Sequence, residues 1–152
     1  MINLGASILL TITTILFLLI FHIETNTTLF ATGIFQLLVY FSFLSLTQMF
    51  IVVFGPAGML FNILSLSLQL VTSGVIVPKS MLSGFYQTIG SLLPATYVAD
   101  GYYTVIFGGE KLTADMKILL SISAVSLLAA SIRIVLQKNS LFTVKEVEDV
   151  VQ

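Results

Sequence analysis

From Thr25 to Pro78 the chain runs for 54 residues without one charged side chain. A soluble domain, in which about a quarter of residues are charged, has no use for such a stretch. It is also too long for one membrane crossing, since about 20 residues at about 1.5 Å each span about 30 Å of hydrocarbon. Two crossings suit it, broken at Phe54-Gly55-Pro56-Ala57-Gly58, where Pro and Gly together favour a turn over a continuous helix. The whole chain agrees, being 57% hydrophobic and only 9% charged, with a mean hydropathy of +1.09. Membrane embedding follows.

The expected fold is an all-α integral membrane protein with four transmembrane helices and a re-entrant or interfacial helical hairpin before the last one. The spans are expected at about 4–21, 29–53, 59–77 and 116–136, the hairpin at 80–109, and a short charged tail at 139–152. Met1-Ile2-Asn3 offers no basic residue before the first apolar run, so that run reads as a retained helix and not as a secretory signal. His22 and Glu24 close it. Thr25-Asn26-Thr27-Thr28 spells a glycosylation sequon but reads more simply as a turn with an N-cap for the next helix. Thr113 is placed to cap the last span, with Asp115 at the positive end of its dipole. Gln137-Lys138-Asn139 marks its exit, and Thr143 and Glu146 form a capping box for a short surface helix over 144–151.

Between the third and fourth spans, Ser91-Leu-Leu-Pro-Ala-Thr-Tyr-Val-Ala-Asp-Gly-Tyr-Tyr-Thr-Val-Ile-Phe-Gly-Gly109 is apolar yet punctuated. Pro94 disfavours helix at Leu93, and Gly108-Gly109 ends whatever follows. Asp100 is the lone charge between Lys79 and Glu110. An ionisable group inside an apolar segment is a functional candidate. The plainer reading sets it at the membrane surface as the N-cap of a short helix over 101–107, with Tyr97, Tyr102 and Tyr103 in an interfacial aromatic belt. Pro94, Tyr97, Asp100 and Gly101 are therefore the candidate functional residues of the hairpin. Gln36, Gln48, Asn62 and Gln69 are the candidate intramembrane polar residues. A buried amide in lipid needs a partner, so hydrogen bonds between helices are expected of these four in preference to a polar substrate path.

Several chemistries are excluded. No Cys and a single His leave no Cys/His pair and no His-rich metal cluster. No Gly-Lys-Ser or Gly-Lys-Thr phosphate loop occurs. Asp100, Glu110 and Asp115 beside two lysines read as a solvated turn. No cofactor, no metal and no enzymatic activity are expected, and a net charge of −1 gives no basic face for nucleic acid. Lysine and arginine counts on the two sides tie at three each, Lys79, Lys111 and Lys117 against Arg133, Lys138 and Lys145, so charge leaves the orientation open.

Gln69-Leu-Val-Thr-Ser-Gly74, Val77-Pro78, Leu92-Leu-Pro-Ala-Thr-Tyr97, Asp100-Gly101 and Gly108-Gly109, in that order, resemble the C-terminal membrane region of the YhgE/Pip (phage infection protein) family. That region is similar in turn to the permease domain of type 2 ABC exporters. The resemblance covers about residues 29–136. It departs at Val75, where the family has a second Gly, and at Tyr102-Tyr103, where a basic residue is usual. It implies a bacterial cell-membrane protein of about six helices with an external domain after the first, of which this chain holds the last four. The hairpin would lie outside and the C-terminus in the cytoplasm. The implied role is transport or export, as a homodimer or with a partner chain carrying the missing helices, and with any ATPase on a separate subunit. The alternatives are a structural membrane anchor of a phage-receptor or type VII secretion accessory protein, and a truncated remnant.

Overall fold

The computed structural model describes residues 2–23 and 25–151, with side chains as far as Gln137. Every regular element among the described residues is helical: α1 (Ile2–Ile20), α2 (Leu29–Phe54), α3 (Gly58–Thr72), α4 (Gly84–Leu92), α5 (Pro94–Phe107) and α6 (Leu112–Val151). Single 3-10 turns occupy Gly55–Ala57 and Lys79–Met81. By length and composition, three helical runs can cross a membrane: Ile2–Ile20, Leu29–Thr72 and Leu112–Gln137.

The second run is 44 residues long because the turn at Gly55–Ala57 keeps its hydrogen bonds helical. It nevertheless doubles back. Asn62 donates to the Thr47 carbonyl at 3.3 Å, although fifteen residues of straight helix would place them about 22 Å apart. The rings of Phe54 and Phe61 stack at 4.1 Å. Gly58 makes the reversal possible, since a Cβ there would lie 2.4 Å from the Phe50 carbonyl oxygen.

Three expected boundaries move. The third helix stops at Thr72, not at Val77. Gly74 turns the chain with φ +85°, and the Ser73 hydroxyl takes the Val75 amide at 3.4 Å and donates to the Leu70 carbonyl at 3.3 Å. Fifteen residues of α3 reach only about 22 Å. The last helix begins at Leu112, so Thr113 lies in its first turn and not at its cap. It also continues unbroken past Gln137 to Val151, where an exit was expected. The Thr143–Glu146 capping box concerns side chains outside the described residues, as does Glu24.

α2 is the hub. It packs against α1, α3, α5 and α6, and four of the six side chains it buries, Thr32, Gln36, Ser42 and Ser45, are polar. Toward α1 the contacts are polar: Asn3 donates to Gln48, and the hydroxyls of Thr14 and Tyr40 meet at 2.8 Å. Toward α6 the Ser42 hydroxyl lies 2.7 Å from that of Ser123 and donates to the Leu119 carbonyl at 2.8 Å. Thr28 caps α2 by accepting from the Ala31 amide at 3.3 Å.

Candidate functional site

Two short helices, α4 and α5, meet at Leu92–Pro94; α4 folds against α3, and α5 against α6, α2 and α3. Leu93 is extended, with φ −107° and ψ +144°, and Pro94 opens α5 at its first position. That is where proline's fixed φ and missing N–H cost least. Pro94 is fully buried. The Thr96 hydroxyl bridges the corner by donating to the Gly90 carbonyl at 2.8 Å. The Tyr97 hydroxyl donates to the Ser91 carbonyl at 2.7 Å. Gly90 lies against Thr72, where an added Cβ would sit 3.0 Å from the threonine Cβ. At the other end the Asn26 amide donates to the Val105 carbonyl at 2.9 Å, so α5 finishes beside the α1–α2 loop.

Asp100 is not a cap. It sits in the second turn of α5, and its carboxylate binds the Lys79 ammonium at 2.6 Å, with both side chains 43% exposed. The aliphatic stem of Lys79 rests on Gly74, where a Cβ would meet Lys79 Cγ and Cε at 3.0 Å. Gly74, Lys79 and Asp100 thus tie the end of α3 to the middle of α5. No residue spacing announces that link, and the sequence reading misses Lys79 as the partner of Asp100.

One residue on, Gly101 lets α5 touch α2. A Cβ there would lie 2.3 Å from Phe35 Cζ and 2.5 Å from Cε2. Phe35 is wholly buried and meets Tyr102 edge-on, with centroids 5.3 Å apart. The Tyr102 hydroxyl donates to the Gln36 amide oxygen. Tyr102 therefore faces inward and does not join an interfacial belt, whereas Tyr103 is 65% exposed.

The four intramembrane amides separate into two pairs. Gln36 and Gln69 belong to the hairpin region. Gln69 donates to the Ser65 hydroxyl at 3.0 Å, and its amide oxygen is buried without a hydrogen-bond partner. Gln48 and Asn62 lie toward the α2–α3 turn and bond Asn3 and the Thr47 carbonyl. All four make hydrogen bonds, three of them across helices; Gln69 departs from the expected interhelical bond, since Ser65 lies in its own helix.

Beside Asp100 a cleft of about 290 Å³ is bounded by Tyr103, Gly108, Glu110 and Lys111. Glu110 and Lys111 are exposed. Asp115 departs from the expected solvated turn, because it is only 6% exposed and one carboxylate oxygen has no partner. Among the described residues no three acidic or His side chains are grouped to hold a metal ion.

The molecule is polar inside and apolar outside. Among the described residues fourteen polar or charged side chains are buried against six hydrophobic ones, while large apolar side chains cover α1, α3 and α6. Lipid, not water, satisfies such a surface, and the fold defines a multi-pass helical membrane protein. The chain is similar to the uncharacterized protein YhgE of Bacillus subtilis (strain 168), with 34% identity over 77 residues, or 51% of this chain. Those residues span 10% of that relative's length. The similarity supports a YhgE-like relationship. No family model matches the chain, and no solved structure matches it.

Proposed function

We propose that this chain is a membrane-spanning part of a YhgE-like, ABC-2-type permease-like protein of the bacterial cell membrane. On this reading it serves transport or export, is not an enzyme, and draws its energy from an ATPase on another subunit. It works as a homodimer or with a partner membrane chain. α1, α2, α3 and α6 make four crossings, with α3 completing its crossing through residues 73–78. α4 enters the bilayer and α5 returns to the same, external face, leaving the C-terminus in the cytoplasm. The observation that carries this reading is the α4–α5 corner. Its vertex packs on Thr72, the last residue of α3, with residues 73–78 still to follow, while its end meets the α1–α2 loop at Val105. Broken helix at membrane depth survives where protein satisfies its backbone, and here Thr96 and Tyr97 do so.

The Lys79–Asp100 pair is half exposed, so its expected worth to stability is at most about 1 kcal/mol. An Asp100→Ala variant should therefore reach the membrane at normal abundance. In a strain deleted for the gene, that variant is expected to fail to restore the export or resistance phenotype. Full restoration at equal abundance would remove the transport role of the hairpin. The second reading, a structural anchor, is favoured by the close packing of Gly101 on Phe35 and by the Lys79 stem lying on Gly74. It requires Gly74→Leu to be more damaging than Asp100→Ala.

A further inference from the structure

An open, almost wholly apolar groove of about 320 Å³ runs between α3 and α5, with Phe43 of α2 at its floor. Leu66, Leu70 and Val75 on one wall are 56%, 58% and 72% exposed, so nothing among the described residues covers them. The opposite wall is the small-residue stripe of α5 that includes Ala95 and Ala99. From Ala95 to Tyr102 it is about 10 Å long at 1.5 Å per residue. A helix about 10 Å across would need roughly 800 Å³ to be enclosed over that length. The groove has room for a single extended chain.

No charged side chain among the described residues lines the groove itself, but the Lys79–Asp100 pair lies next to one end of it. Val75 adjoins Gly74, on which the Lys79 stem lies, and Ala99 adjoins Asp100. The ion pair spends one ammonium N–H and one carboxylate lone pair, leaving further donors on Lys79 and acceptors on Asp100. With both side chains 43% exposed, the pair offers a positive and a negative contact side by side. We propose that the groove holds one acyl chain of a bilayer phospholipid whose zwitterionic headgroup carries a primary ammonium. Its phosphate meets Lys79 and its ammonium meets Asp100. The proposal is independent of the transport reading, since an anchor would use such a site equally well.

The test uses the full chain reconstituted in nanodiscs with a phosphatidylethanolamine analogue bearing a photoreactive diazirine on its acyl chain. Cross-linked residues are mapped by mass spectrometry. Labelling is expected to concentrate on Leu66, Leu70 and Val75 over Leu60 and Ile132, which are similarly exposed at 65% and 60%. Ala99→Phe, which fills the groove, should cut that labelling roughly tenfold, the change for displacing about two buried methylenes. Leu70→Trp should cut it comparably from an exposed position, so a folding failure of the first variant leaves the test intact. Asp100→Asn should erase the preference for this analogue over one with a phosphatidylglycerol headgroup. Equal labelling of Leu60 and Leu70, or equal labelling of the unsubstituted chain by the two headgroups, would overturn the proposal.

Discussion

Gly101→Ala adds one methyl group at the closest approach of α5 to α2. Its Cβ would lie 2.3 Å from Phe35 Cζ, where ordinary contact begins near 3.4 Å, so something must move by about 1 Å. The phenyl ring has little freedom to yield, being wholly buried and held edge-on by Tyr102. Overpacking of this kind costs about 1–3 kcal/mol. Disturbing the edge-to-face contact adds about 0.5–1.5 kcal/mol. Replacing Gly by Ala inside a helix returns about 1 kcal/mol, so the net loss is expected to be about 0.5–3.5 kcal/mol. Gly5→Ala is the matched control, because a Cβ on Gly5 meets nothing within 4 Å. It should be neutral or slightly stabilising. Reversible unfolding in mixed micelles with increasing SDS measures both. A Phe35→Leu background makes room for the methyl group, and a double-mutant cycle should show coupling of about 1 kcal/mol or more in the compensating direction. Equal stability of Gly101→Ala and Gly5→Ala, or an unchanged penalty in the Phe35→Leu background, would refute the close-contact argument.

Ser42→Ala should cost about 0.6 kcal/mol and at most about 1.7 in the same assay, the range for interhelical hydrogen bonds in membranes. Ser123→Ala in that background should add little, because the two hydroxyls bond each other. Gly74→Ala should lose about 1–2 kcal/mol for the left-handed backbone at φ +85°, whereas Gly84→Ala, where a Cβ meets nothing within 4 Å, should lose less than half as much.

Much of the helical framework is legible from hydropathy, because lipid imposes one rule along the whole chain. The break at Gly55-Pro56 is legible for the same reason: few other structures use that punctuation inside an apolar run. The end of α3 is not. Ser73-Gly74 reads equally well as small packing residues or as a helix stop, and the backbone angle at Gly74 decides it. Pro94 is ambiguous in a similar way, since proline both ends one helix and begins the next. α5 already begins at Pro94, so Asp100, whose residue type suits a cap, lies inside the helix. The contacts that build the site join distant positions, Lys79 to Asp100 and Phe35 to Gly101. No local period encodes them. Asp115 follows the same logic, with a solvated neighbourhood in sequence and a buried place in the fold.

The decisive measurement is the sidedness of the two flanks of the α4–α5 corner. The chain has no native cysteine, so single cysteines at Ile23, Ala57, Ser80 and Glu110 can be probed with an impermeant maleimide in intact cells. A helix pair that enters and returns predicts Ile23, Ser80 and Glu110 on one face of the membrane and Ala57 on the other. Labelling of Ser80 and Glu110 from opposite faces would mean that the corner crosses the bilayer, and the hairpin account would be wrong.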